Sequence, residues 1–526
     1  MNLPLNPRRL KIASALLILT TAASGIPCFA NPALSEQRTT TYWQQQGRAS
    51  LEQVLARQAN TRKAKNIILF VGDGNGITSV TATRIFDGQA KGMAGEDNQL
   101  SYEKFPHVAL AKTYNTNQQT PDSAGTMTAI MTGVKSSAGV ISVKPELEVA
   151  NCKAMNDIGL ITLLEEARLD GLATGIVSTT RITHATPAAT YAHSAHRDWE
   201  SDADIPAAMK DCAVDIASQL IDNGTVNVAL GGGRSYFMPE TSADPEYPDK
   251  SGKRQDGRDL VAEWTAANPN GRYVWNQTQF DAIDANFSGN IFGLFEPSHM
   301  HYEADRQTLG ADEPSLSEMT ATAVARLKQN ERGFFLMVEG GRIDHGHHAG
   351  NAYRALTDGQ EFARAVQVAV DQTSAEDTLI IVTADHSHTL SMAGYPTRGN
   401  PILGTVVGND EHGKAKDAPE LAADGKPYTT LGYINGVGHG HAATQDERYR
   451  QAPKPGRFLE KNEQTTASDF HQEALVPMPM ETHGGEDVAI YASGPWSHLF
   501  SGVHEQNYIY YVMKHALWPQ SGDKSR

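Results

Sequence analysis

Four short apolar runs, each ending at a glycine, a carboxylate or an imidazole, constrain this chain more than any other feature. Residues 66–71 read Asn-Ile-Ile-Leu-Phe-Val and give way to Gly72-Asp73-Gly74-Asn75-Gly76. Residues 173–178, Ala-Thr-Gly-Ile-Val-Ser, lead into Arg181-Ile182-Thr183-His184-Ala185-Thr186-Pro187. Residues 334–338 deliver Glu339 and then Arg342-Ile343-Asp344-His345-Gly346-His347-His348, and residues 378–383 deliver Ala384-Asp385-His386-Ser387-His388. Runs this short are strands rather than helices, and the lack of polar alternation means burial on both faces, as in a parallel sheet covered by helices. Polar residues at the carboxyl ends of such strands gather along one sheet edge, where α/β proteins bind ligands. The expected fold is therefore α/β: a three-layer sandwich with a large, mostly parallel central sheet between helices, plus a small surface insertion.

One further stretch bears on that edge. In Gln119-Thr120-Pro121-Asp122-Ser123-Ala124-Gly125-Thr126, Pro121 and Asp122 mark a turn and the residues after Ser123 read as a helix. The Ser123 hydroxyl then sits at a helix N-terminus, where unpaired N–H groups favour anions. Taken alone, such a serine is more often a cap than a nucleophile.

Residues 1–30 stand apart. Arg8, Arg9 and Lys11 precede an apolar stretch from Ile12 to Gly25 and the small-residue end Cys28-Phe29-Ala30, which together read as a secretory signal peptide cut after Ala30. The apolar run is too short for a membrane anchor. Losing three basic residues and no acidic one takes the formal charge from −16 to −19. That balance disfavours nucleic-acid recognition and requires a local cationic site for any anionic substrate. Cys152 and Cys212 remain, an expected disulfide in an oxidising compartment, worth about 4 kcal/mol on a chain-entropy estimate for a loop of this size.

Along the chain, the organisation reads as a signal peptide at 1–30, a helical arm at 31–64 with an amphipathic helix over Ser50 to Arg57, and an α/β body at 65–397 and 482–526. A Gly/Pro/Lys/Asp-rich, crown-like insertion occupies 398–481. Val226 to Leu230 is a further strand, and the polar stretch from Thr241 to Gly271 reads as surface insertion rather than core.

Each candidate ligand has a bland reading by itself: Asp73 could cap a helix and Glu339 could pair with Arg342. Together they suit metals. Asp344 and His348 at i and i+4 share one helical face, while Asp385 and His386 at a strand end diverge and can serve different ions. Imidazole with carboxylate suits zinc; carboxylate with hydroxyl, as in Asp73, Thr186 and Glu339, suits magnesium.

From about Tyr42 to about Ala516 these ordered motifs, with Glu481-Thr482-His483, resemble the metal-dependent alkaline phosphatases, close to their animal-type branch. The resemblance implies one zinc on Asp344, His348 and His483, and a second on Asp73, Asp385, His386 and the Ser123 oxygen. It also implies magnesium on Asp73, Thr186 and Glu339 with His184 close by, and Arg197 as the phosphate-binding arginine. The implied reaction is phosphomonoester hydrolysis through a phosphoserine on Ser123, in an exported, periplasmic or secreted homodimer with no membrane anchor. Asn75 departs from the methionine of many relatives. Glu246, Phe295 and Glu296 resemble the calcium site of the animal-type enzymes, with the spacing leaving open whether Asp312 or Glu313 completes it; a solvated acidic loop is the rival reading. A phosphodiesterase or sulfatase of the same superfamily is the alternative function.

Overall fold

The computed structural model describes residues 39–519 apart from 156, 157, 307, 455, 457, 458 and 460–462, so the signal-peptide segment lies outside the described residues. Side chains of β1 (Asn66–Gly72) alternate between two separate cores. Ile67, Leu69 and Val71 belong to one hydrophobic cluster, and Ile68 and Phe70 to the other. The same alternation splits β7 (Phe334–Gly340), which sends Phe335 and Met337 one way and Phe334, Leu336 and Val338 the other. A strand with apolar residues at every position is stable only when both faces are covered, and here they are.

Ten strands form the central sheet in the order β10-β2-β9-β8-β1-β7-β3-β4-β6-β5. The others are β2 (His107–Lys112), β3 (Ala173–Arg181), β4 (Val228–Gly232), β5 (Arg272–Val274), β6 (Ile291–Leu294), β8 (Thr378–Ala384), β9 (Val488–Ser493) and β10 (Val503–Glu505). All neighbours run parallel except β9, which is antiparallel to both β8 and β2. Helices Ser123–Thr132, Leu163–Leu169, Ile216–Asn223 and Tyr508–Leu517 cover one face. Helices Leu316–Leu327 and Ala352–Gln372 cover the other.

Two stretches differ from their sequence reading. The helix near the N-terminus runs from Thr40 to Leu55, ten residues earlier than its apolar spacing suggested, and none of its residues is buried. The stretch 241–271 is not wholly surface: Leu260 and Trp264 join the first core cluster, and Arg254, fully buried, pairs with Asp215 at 2.9 Å. Between β8 and β9, Leu390–Met392, Leu431–Gly436 and Ala474–Pro477 form a separate three-stranded sheet. Its Leu431, Tyr433 and Ala474 pack with Ala352 and Leu356 of the long helix. The Tyr433 hydroxyl lies 2.8 Å from His347 Nδ1, which ties this sheet to the Arg342–His348 helix.

Candidate metal centre

The register of the three central strands brings their carboxyl ends level, with Gly72 lying beside both Gly340 and Ala384. Asp73 and Asp385 therefore leave the sheet side by side, and Glu339, one residue short of the end of β7, stands on the other side of Asp73. The Gly74 N–H donates to Asp385 Oδ1 at 3.0 Å. Gly74 has φ +67°, and a Cβ there would fall 2.3 Å from the His388 ring, so the loop needs glycine for both conformation and space.

Ser123 opens the helix Ser123–Thr132 and is 2% exposed. Asp122 caps that helix by accepting the Gly125 N–H at 3.0 Å. Its second oxygen accepts the Gly139 N–H at 2.9 Å and pairs with Arg197 Nη1 at 3.2 Å, which anchors the guanidinium beside the serine's helix terminus. Ser123 Oγ lies 3.0 Å from His386 Nε2 and 3.5 Å from Asp73 Oδ1. His386 Nε2 is in turn 3.3 Å from both Asp73 Oδ1 and Asp385 Oδ2. The Cys152–Cys212 disulfide, Cα atoms 5.6 Å apart, packs in a small core with Ala195 and Trp199, the residues flanking the Arg197 segment.

A second group centres on Asp344 Oδ1. His348 Nε2 lies 3.2 Å from it, His388 Nε2 2.8 Å and His483 Nε2 3.4 Å. His348 and His483 face each other Nε2 to Nε2 at 3.1 Å. Their other nitrogens face backbone carbonyls: His348 Nδ1 is 2.6 Å from the Glu481 oxygen, and His483 Nδ1 2.7 Å from that of Pro121. A carbonyl only accepts, so Nδ1 carries the proton of each neutral ring and Nε2 keeps its lone pair. Two nitrogen lone pairs and a carboxylate oxygen then converge with no proton between them, an arrangement suited to a cation, with the hydrogen bonds that orient both rings already in place.

His388 and Glu481 are the members that sequence reasoning left without a role. Burial opposes protonation of His388, yet Glu481 and Asp344 push its pKa up to about 10. Its Nδ1 lies 2.6 Å from Glu481 Oε2, and the other Glu481 oxygen accepts the Thr389 N–H and hydroxyl, each at 2.7 Å. His388 follows His386 by two residues and Glu481 precedes His483 by two. On an extended strand that spacing puts both on one face, the signal that could have found them.

A third group is built from oxygens. Asp73 Oδ2, Thr186 Oγ and Glu339 Oε1 are all buried and have no hydrogen-bonding partner within 3.5 Å. The second Glu339 oxygen accepts from the hydroxyls of Ser178 and, at 2.9 Å, Thr180. His184 offers a ligand atom within 4.8 Å of those of Asp73 and Glu339, and its Nε2 lies 3.3 Å from Arg197 Nη2. Burial, then Asp385, Asp344 and Glu339, holds the Asp73 carboxyl well above the usual range, and burial pushes Glu339 up to about 7. Burial also opposes ionisation of Asp344, but His348, His388 and His483 hold it well below its usual value. Carboxylates crowded this way suit the divalent cations that would neutralise them.

Of the residues resembling a calcium site, Glu296 and Glu313 come together and Asp312 does not: its side chain instead accepts the Gln277 N–H at 3.2 Å. Glu246 Oε2 is held by Arg234 Nη2 at 2.9 Å, and Phe295 packs edge-on against Phe280 with ring centroids 5.8 Å apart.

Residues 64–518 match the family model described as alkaline phosphatase. The chicken (Gallus gallus) tissue-nonspecific alkaline phosphatase isozyme is 45% identical over 498 residues, covering 93% of this chain and 91% of that protein. The human (Homo sapiens) isozyme is 42% identical over 500 residues with the same coverage. Among solved structures, the Thermus thermophilus alkaline phosphatase shares the fold at TM-score 0.62 and 23% identity, covering 89% of this chain and 94% of that one. With a family match across most of its length and relatives this similar, the chain belongs to the alkaline phosphatase family of phosphomonoester hydrolases.

Proposed function

We propose that the chain hydrolyses phosphate monoesters through a phosphoserine on Ser123, with two zinc ions and one magnesium ion at the groups above. Asp344, His348 and His483 would hold one zinc, and Asp73, Asp385, His386 and Ser123 Oγ the other. Asp73, Thr186 and Glu339 would hold magnesium, with His184 beside it. When bound, these ions lower the pKa of the serine hydroxyl, stabilise the departing oxygen and activate water for the second step.

The chain's own groups do the rest. Ser123 Oγ bonds to phosphorus as the bond from phosphorus to the alcohol oxygen breaks in line, and the alcohol leaves. Water then attacks the phosphoserine from the vacated side, releasing inorganic phosphate and restoring the hydroxyl. Arg197, anchored through Asp122, offers its N–H fork to two equatorial phosphate oxygens throughout. Glu481 and His388 fix the Asp344 carboxylate, and the carbonyls of Glu481 and Pro121 fix the two imidazoles.

The observation that carries this reading is the convergence of proton-free Nε2 atoms and carboxylate oxygens around Asp344, with Ser123 Oγ 3.0 Å from the neighbouring His386 Nε2. Turnover of a chromogenic phosphomonoester tests it: activity should vanish on chelation, return with zinc plus magnesium, and be lost in Ser123→Ala with zinc content kept. Near-full turnover in that variant through an unchanged covalent intermediate would refute the nucleophile assignment.

We further infer an exported enzyme, periplasmic or secreted after removal of residues 1–30, acting as a homodimer on small soluble esters. No helix among the described residues is long and apolar enough to cross a membrane. The exposed Trp43, Leu51, Val54 and Leu55 of the Thr40–Leu55 helix, and Tyr395 at 96% exposure, support the dimer by offering apolar surface to a second copy.

A further inference from the structure

His347 stands next to the proposed ligand His348, and no step above uses it. Its ring is fully buried. Nδ1 lies 2.8 Å from the Tyr433 hydroxyl and Nε2 2.9 Å from the Ser79 hydroxyl, and both of those residues are buried too. A hydroxyl can donate or accept, so one receives the N–H of the ring and the other fills its lone pair. With both nitrogens engaged, His347 is not available as a metal ligand.

The three residues belong to three separate elements. Ser79 lies in the helix Ile77–Ala90, which begins just after the Asp73 loop. His347 lies in the Arg342–His348 helix with Asp344 and His348. Tyr433 lies in Leu431–Gly436 of the insertion's three-stranded sheet, whose Leu431 and Tyr433 pack with Ala82 and Ile85 of the Ser79 helix. The His347 ring also lies against that of His388, with centroids 4.8 Å and planes 36° apart, and His388 Nε2 is 2.8 Å from Asp344 Oδ1.

Asp73 and the Asp344–His348 pair therefore reach the metal centre from different elements. Apolar packing alone does not fix how far one slides along the other, because it has no direction. Hydrogen bonds do, since they weaken steeply away from their preferred distance and angle. Resting on the zinc assignment above, we propose that His347, clamped between Ser79 and Tyr433, is a positioning residue that holds Asp344 and His348 in register with Asp73. Through Tyr433 the insertion then sets the zinc affinity of the Asp344 group. Loss of the Tyr433 hydroxyl releases one end of the clamp, and the displacement reaches Asp344 by two routes, along the helix turn and through the His388 ring.

The test uses the full chain loaded with zinc and magnesium. Zinc affinity is measured by competition with a chromogenic chelator in wild type, Tyr433→Phe, His347→Gln and His347→Leu, and the unfolding midpoint of each is read after full chelation. Tyr433→Phe keeps the ring and removes only the hydroxyl; it should weaken one of the two zinc equivalents about tenfold and leave the other close to wild type. His347→Leu, which loses both hydrogen bonds, should weaken the same equivalent further, and His347→Gln, whose amide both donates and accepts, should recover part of that loss. Wild-type zinc affinity in Tyr433→Phe would overturn the proposal. So would an equal weakening of both equivalents that tracks a lower midpoint in the chelated protein, the mark of general loosening. Should His347→Leu fail to fold by circular dichroism, Tyr433→Phe against wild type decides alone. Failure of the catalytic reading would show separately, as a wild type that binds both zinc equivalents without turning over a chromogenic phosphomonoester.

Discussion

His348 and His483 come from segments 135 residues apart, yet their Nε2 atoms lie 3.1 Å from each other and both face Asp344. Each ring is turned by a carbonyl on its far side, from Glu481 and Pro121. Two nitrogen lone pairs repel at that distance, so the arrangement persists only where those hydrogen bonds and a cation compensate.

Glu481→Gln should weaken zinc binding roughly 10–100-fold, because the carboxylate that holds His388 against Asp344 is neutralised while the three proposed ligands remain. Competition with a chromogenic chelator measures it. Unchanged affinity would mean that Asp344 needs no such support.

Arg197→Ala should raise the inhibition constant of inorganic phosphate by about 10–100-fold, the loss of one to two charged hydrogen bonds at roughly 1.5 kcal/mol each. Asp122→Ala should show a smaller rise, since it frees the guanidinium without removing it. Equal inhibition constants in all three proteins would exclude Arg197 from phosphate binding.

The stabilisation that Glu339 gives the metal-free protein should fade as pH rises from about 4.5 to about 7. Glu339 is pushed up to about 7 in the folded chain, so its proton favours the native state below the unfolded value, and that contribution disappears as pH passes the folded value. Asp73 is shifted in the same direction. Bound cations oppose the trend, because they replace the protons. The gap in thermal midpoint between metal-loaded and chelated protein should therefore be wider at pH 8 than at pH 5.5, and a gap that narrows would contradict the shared-charge account.

Gly74→Ala should cost activity more than a helix-surface alanine would. The side chain must occupy φ +67° and displace the His388 ring that lies 2.3 Å from its Cβ position. Turnover and zinc content should fall together. A variant with wild-type zinc content and turnover would show that His388 can move without harm.

Replacing Cys152 and Cys212 by serine should lower stability by about 2–4 kcal/mol in denaturant unfolding, as expected for a link that closes 60 residues of chain. Since the linked core holds Ala195 and Trp199, phosphate affinity should weaken with it through Arg197. A purely entropic effect would leave that affinity untouched.

By itself the chain determined its sheet: β1, β7 and β8 are apolar at most positions, and that pattern is satisfied by burial between two helical layers. It also determined which side chains stand at the strand ends, and the i, i+4 pairing of Asp344 with His348, because local periodicity fixes both. The Thr40–Leu55 helix was legible only in part, since a helix that buries none of its residues carries no complete apolar stripe. Tertiary structure alone decided that Glu313 rather than Asp312 faces Glu296, that Arg254 is buried inside a polar stretch, and that His388 and Glu481 brace Asp344. Those relations join residues from 17 (Glu296 and Glu313) to 93 (His388 and Glu481) positions apart. Their geometry follows from strand register and helix packing, which one-dimensional spacing does not encode.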